Sequence, residues 1–97
     1  GLRAPMVGHL GDGNFHVLLP YNPEKKETYE KIRKFSDILI EKTLELEGTI
    51  TGEHGVGLHK KEYLKKEHAD NLPTMKLIKR AIDPNNIMNP GKIFDLN

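Results

Sequence analysis

Apolar residues fall in short runs at the start of the chain and in a spaced stripe through its middle, and the two patterns predict different elements. Met6-Val7 with Leu10, then Phe15-His16-Val17-Leu18-Leu19, are strand-like, with Gly11-Asp12-Gly13-Asn14 between them. Asp-Gly flanked by apolar residues signals a hairpin. Asn22-Pro23-Glu24 then reads as a helix start, with Asn as N-cap, Pro in the first helical position and Glu in the first turn. Ile32, Phe35, Leu39 and Leu46 recur at helical spacing among Glu and Lys. This predicts one long amphipathic helix from about Pro23 to Glu47, stopped by Gly48 in a left-handed conformation.

Beyond it the pattern is weaker. Thr49-Ile50-Thr51 is β-branched and suits a brief strand before the glycine-rich stretch Gly52-Glu53-His54-Gly55-Val56-Gly57. Lys60 to His68 is polar and helix-compatible. A last helix is expected from near Pro73, burying Met75, Ile78 and Ile82, and ending at Asp83-Pro84, because a residue before Pro avoids the helical region. Asn89-Pro90-Gly91-Lys92-Ile93-Phe94 reads as a turn and a short extended piece. The expected fold class is α+β: a β-hairpin, a long helix packed on it, a glycine-rich loop and one or two shorter helices. With no repeats, low-complexity tracts or linkers, one compact unit over 1–97 is expected.

Composition narrows the function classes. The chain has 97 residues, 36% of them hydrophobic, enough for one modest core, and a mean hydropathy of −0.59. Lys and Arg number 15 against 14 Asp and Glu, so the net charge is +1 and exerts no broad pull on nucleic acid or anionic membrane. No basic stripe is interleaved with aromatic residues, which sets nucleic-acid binding aside. No apolar run approaches the roughly 18–20 residues that span a bilayer, and no signal peptide opens the chain. The absence of Cys excludes disulfides, thiolate metal sites and thiol nucleophiles. The opening Gly1-Leu2-Arg3, lacking Met and running at once into a strand-like segment, suggests a piece cut from a longer protein.

Candidate chemistry centres on histidine. If Asp12-Gly13 is a two-residue turn, His9 stands directly opposite His16, and Leu10 opposite Phe15 on the other face. Directly paired residues have Cβ atoms roughly 4.5–5.5 Å apart, so two imidazoles would project side by side. Zn, Mn or Fe sites usually add a third protein donor, commonly a carboxylate. Glu53, in a glycine-flanked loop, is the natural candidate. Because neighbouring side chains diverge in extended backbone, Glu53 would face metal and His54 substrate, where an imidazole is suited to take a proton.

Plainer interpretations stand beside these. Cross-strand histidines also occur simply as half-buried polar residues. Gly-Glu-His-Gly-Val-Gly has the wrong glycine spacing for a dinucleotide loop, and Glu53 would repel pyrophosphate. Asp12-Gly13-Asn14 begins like a calcium loop, but His16 occupies the next ligand position. His59 and His68, and Lys60-Lys61 with Lys65-Lys66 interleaved with Glu62 and Glu67, read as solvated surface. Asp12 reads as fixing its turn.

Three motifs occur in order: Gly8-His9-Leu10-Gly11-Asp12-Gly13-Asn14-Phe15-His16, Thr51-Gly52-Glu53-His54-Gly55-Val56-Gly57, and Asp83-Pro84 leading to Met88-Asn89-Pro90-Gly91-Lys92. From about Gly8 to Phe94 the chain resembles the C-terminal end of FAD-linked oxidases of the vanillyl-alcohol-oxidase superfamily, closest to the D-2-hydroxy-acid dehydrogenases of D-lactate and glycolate type. The resemblance implies a divalent metal held by His9, His16 and Glu53, with His54 as base, and Asn89 near the flavin of FAD. It further implies that metal would grip the substrate's hydroxyl and carboxylate. His54 would take the hydroxyl proton while hydride leaves for the flavin, giving a 2-oxo acid. Electrons would pass on to a cytochrome, a quinone or an electron-transfer flavoprotein.

Leu18 stands where relatives acting on 2-hydroxyglutarate carry Asn, which favours a smaller or more apolar acid such as lactate. The FAD-binding domain that the resemblance implies lies upstream and is absent from this chain. The remainder of its own chain is then a necessary partner, and the 97 residues alone should be inactive. A cytoplasmic enzyme, membrane-associated or not when intact, is the expected setting. Two rivals remain: a free-standing metal-binding module without redox chemistry, and a purely structural interaction domain in which His9, His16 and Glu53 are dispensable.

Overall fold

The computed structural model describes residues 3–97; Gly1 and Leu2, the start of the suspected cut end, lie outside the described residues. The described chain is taken as two compact units, one ending at Gly48 and the other running Thr49–Asn97.

The first unit opens with strands β1, Met6–His9, and β2, Asn14–Val17, paired antiparallel. Their connection is longer than the expected two-residue turn. Leu10–Asp12 forms a 3-10 turn, closed by Gly13 in the left-handed region with its N–H donating to the Leu10 carbonyl at 3.1 Å. A two-residue type I′ turn would need positive φ at Asp12 as well as at Gly13. Only the glycine takes it. The register is therefore Met6 with Val17, Val7 with His16, Gly8 with Phe15 and His9 with Asn14, and the Leu18 N–H extends the ladder to the Pro5 carbonyl at 2.9 Å. Leu10 is exposed in the turn and packs against no strand partner.

Helix α1 spans Lys26–Glu45, three residues later than expected at its start. Asn22 caps a separate turn, its Oδ1 accepting the Glu24 N–H at 3.0 Å, so the Asn-Pro-Glu signal closes that turn and the helix starts after it. At the other end the left-handed residue is Glu47, φ 59°, rather than Gly48. The Glu47 and Gly48 N–H groups return to the carbonyls of Leu44 and Thr43, which satisfies two of the helix's orphan acceptors. Ile32, Phe35, Leu39 and Ile40 form the half-buried stripe, while Leu46 is exposed. The helix makes no extensive contact with the hairpin, contrary to the expected packing of one on the other.

In the second unit, helix α2, Lys61–Glu67, and helix α3, Leu72–Ile82, fall where the sequence places them, with Asp83 capping α3. Thr49–Thr51 forms no strand, and the tail is not extended, because Ile93 sits at φ 70°. Among the described residues Leu64 is the one buried hydrophobic side chain. Met75 is half-buried, but Ile78 and Ile82 are exposed, Ile82 by 71%. The modest core expected from composition is not assembled by these residues. Units this short lie near the ~40-residue size below which chains usually need disulfides, metal or association. No helix among the described residues is long and apolar enough to cross a membrane.

Candidate metal and proton-transfer site

The register moves His9 and His16 from directly opposed positions to a diagonal, because His9 faces Asn14 and His16 faces Val7. Diagonal neighbours stand roughly 7–8 Å apart, against 4.5–5.5 Å for direct partners, still within reach of long side chains. Directly paired residues share a face, so Val7, His9, Asn14 and His16 lie on one side of the hairpin and Met6, Gly8, Phe15 and Val17 on the other. The register differs by two residues, and an even shift leaves both histidines on the same face. By the same alternation Leu18 lies on the face of His16. Gly8 makes this ladder possible: a Cβ there would meet the Asn14 carbonyl oxygen at 2.3 Å and Phe15 Cα at 2.5 Å.

Glu53 and His54 occupy a turn, not extended backbone. The His54 N–H donates to the Thr51 carbonyl at 3.2 Å, and the flanking Gly52 and Gly55 have φ of 51° and 77°, a region glycine enters without steric cost. The two side chains consequently do not diverge. Glu53 Oε1 lies 3.8 Å from His54 Nε2, with the side chains 51% and 65% exposed. A carboxylate and an imidazole held this close offer either a second donor to an ion or a proton acceptor beside one. Imidazole and carboxylate are donor types suited to Zn, Mn or Fe, and each unit presents its own: two imidazoles on the hairpin, a carboxylate and an imidazole in the turn.

Asn89 lies in the terminal turn, with φ 47° and its carbonyl accepting the Lys92 N–H at 3.3 Å. Its side chain is exposed. The turn hangs from Asp83, which is only 4% exposed. The Asp83 carboxylate accepts the Ile87 and Met88 N–H groups at 3.0 and 2.9 Å and the Lys79 ammonium, which also donates to the Met88 carbonyl. The Lys79 hydrogen bond, helped by those two N–H groups and opposed by burial, holds the Asp83 carboxyl below its ordinary value. From sequence Asp83 reads as a helix stop and as the start of the third motif, with no bonding role of its own. The overlooked signal is an acid four and five residues ahead of two loop N–H groups.

Lys60 and Glu67 are likewise not ordinary surface. The Ile50 N–H donates to Glu67 Oε2 at 3.2 Å, and Lys60 Nζ donates to the Ile50 carbonyl at 3.4 Å. Glu67 is 12% exposed, and its Oε1 lies 3.4 Å from His68 Nε2, which takes His68 out of the solvated class as well. Lys61 pairs with Asp95 at 2.8 Å. His59 is exposed, as expected. Lys60, Leu64 and Glu67 are spaced as one helical face, and their position around the buried Leu64 is the sequence signal that marks them as inward.

The chain belongs to the family of FAD linked oxidases, C-terminal domain, matching it over residues 1–93. Particular relatives are similar along nearly all of it. It is 44% identical over 98 residues to the mitochondrial D-lactate dehydrogenase (cytochrome) of Kluyveromyces lactis, covering 100% of this chain and 16% of that protein. Identity to glycolate oxidase subunit GlcD of Bacillus subtilis is 46%, covering 90% and 19%. Identity to D-2-hydroxyglutarate dehydrogenase of Stutzerimonas stutzeri is 41%, again covering 90% and 19%. The chain thus spans less than a fifth of the length of these curated relatives.

Proposed function

We propose that these residues form the substrate-side wall of an FAD-linked D-2-hydroxy-acid dehydrogenase, which oxidises a D-lactate- or glycolate-type acid to the 2-oxo acid. The observation that carries this is the Glu53–His54 pair in one glycine-flanked turn, within a chain of the FAD linked oxidase family. His9, His16 and Glu53 would hold a divalent ion. Such an ion, when bound, supplies Lewis acidity that favours the ionised form of a hydroxyl. His54 takes the substrate's hydroxyl proton on an imidazole nitrogen, the side chain best suited to do so near neutral pH. The hydride of the same carbon leaves for the flavin carried by the rest of the protein, so proton and electron pair are both accounted for. Asn89 would lie near the flavin.

Leu18 on the His16 face favours an apolar substrate tail, hence lactate over a dicarboxylate. Glu53 and His54 are too exposed here to exclude water from a reacting carbon, so the remainder of the protein supplies the opposite wall and the 97 residues alone are inactive. The name of the Kluyveromyces relative supports a cytochrome as acceptor, with a quinone or electron-transfer flavoprotein as the other routes.

The test uses the full-length protein, whose flavin spectrum is followed anaerobically with D-lactate, with L-lactate and with a His54→Ala variant. Bleaching by the D-isomer alone, lost in the variant while metal and flavin stay bound, is the expected result. A flavin that no 2-hydroxy acid bleaches overturns the substrate. Absence of flavin would leave a metal-binding module.

A further inference from the structure

Among the described residues the segment that carries Glu53 and His54 pairs with no strand, yet both its ends are tied. At its entry one residue, Ile50, has both backbone polar groups engaged by the same face of one helix, its N–H by Glu67 Oε2 and its carbonyl by Lys60 Nζ. At its exit the Gly57 carbonyl accepts the N–H of Ile93 at 2.8 Å. Two side chains here perform what a neighbouring strand performs in a ladder, satisfying donor and acceptor together and fixing the direction in which the chain enters the turn.

We propose that Glu67, with Lys60, is a positioning residue that sets the Glu53–His54 turn for its ion and substrate. The proposal rests on Glu53 being a metal donor, as argued above. Its physical basis is that Ile50 lies three residues from Glu53, with a glycine of unrestrained φ between them, so an untethered Ile50 would let the carboxylate swing. Glu67 suits the role because its own position is fixed: it is largely buried, beside Leu64, and its second oxygen faces His68.

The experiment measures Zn2+ affinity of the full-length protein by competition with a chromophoric chelator, beside kcat, KM and the unfolding midpoint. The variants are Glu67→Ala, Glu67→Gln, Lys60→Met and Glu53→Gln, with Glu62→Ala as a surface control on the same helix. Glu67→Ala should weaken Zn2+ binding by about 10–100-fold, the usual effect of removing a group that orients a ligand. It should lower kcat more than it raises KM. Glu67→Gln retains a carbonyl acceptor for the Ile50 N–H and should restore most of the affinity, and Glu62→Ala should change nothing.

Unchanged affinity in Glu67→Ala, while Glu53→Gln loses it, overturns the positioning role and leaves the metal reading intact. Equal losses in the Ala and Gln variants also overturn it, since charge and not the hydrogen bond would then matter. Should Glu67→Ala fail to fold, Lys60→Met decides: weaker binding supports the role and unchanged binding overturns it. Full affinity in Glu53→Gln removes the metal reading, and the positioning role falls with it.

Discussion

The hairpin and the glycine-rich turn each present a pair of candidate groups, but they hold them by different means. His9 and His16 are placed by a backbone ladder, in which the face of every side chain follows from the register alone. Glu53 and His54 are placed by two left-handed glycines, by the Lys60 and Glu67 side chains and by the backbone N–H of Ile93 in the tail. A ladder has a period of two, so the two-residue shift leaves both histidines on the same side. A turn clamped at single points has no period, and each clamp matters on its own. The hairpin should therefore fail through backbone space, the turn through torsion and through individual hydrogen bonds.

The largest effect expected follows from space. Gly8→Ala inserts a Cβ where the Asn14 carbonyl and the Phe15 backbone already sit, and backbone cannot swing aside as the end of a flexible side chain can. Separation of the strands should cost about 3 kcal/mol or more, the upper end of overpacking penalties. The divalent ion proposed for His9, His16 and Glu53 should then be lost from the full-length protein although no candidate ligand has been changed. Metal analysis alongside thermal unfolding checks this; a variant with full metal content and an unshifted midpoint would show that the ladder is not what places His9 and His16.

Next in size is the loop that leads to Asn89. Asp83→Ala strands two N–H groups and the Lys79 ammonium at a buried position, and the unfolding midpoint should fall. The pH dependence has a definite sign. The Asp83 carboxyl is held below its ordinary value in the folded state. Its contribution is therefore fully present above that ordinary value and is lost as pH falls through the lowered one. Asp83→Asn should flatten the acid side of the stability profile while changing the neutral midpoint less than Ala does. An acid limb identical to the parent's would show that other carboxylates carry it; Asp95, held down chiefly by its Lys61 hydrogen bond, is the first alternative.

How legible each region was in the sequence follows the same division. Periodic elements were readable: the two strands, the α1 stripe through Ile32, Phe35 and Leu39, and the α3 stop at Asp83 all rest on local spacing and backbone torsion. Turn chemistry was readable only in part. Asp12-Gly13 announced a hairpin but not that Gly13 alone would take positive φ, and Gly48 announced a stop whose left-handed residue is Glu47. The contacts between distant positions were not readable. Nothing local in Lys60 or Glu67 points to Ile50, and nothing in Ile93 announces a left-handed β-branched residue, a conformation that costs of order 1–3 kcal/mol and persists only where its surroundings impose it. Burial failed for a related reason: Ile78 and Ile82 have core periodicity, but these residues provide no core to receive them.

The smallest effect separates torsion from space within the turn itself. Gly55 has φ 77° and nothing within 4 Å of where a Cβ would stand, the reverse of Gly8. Gly55→Ala should therefore cost only the left-handed penalty of about 1–2 kcal/mol, with no clash to relieve. Gly55→Asn should recover part of it, because Asn tolerates that conformation through a local hydrogen bond of its own. At Gly8 the order should invert, Asn being worse than Ala, since any larger side chain deepens a clash with backbone. Unfolding midpoints of the four variants in the full-length protein read this directly. If Asn proved no better than Ala at Gly55, torsion would not be what the glycine supplies, and close approach by a substrate or by the rest of the protein would be the reason for it.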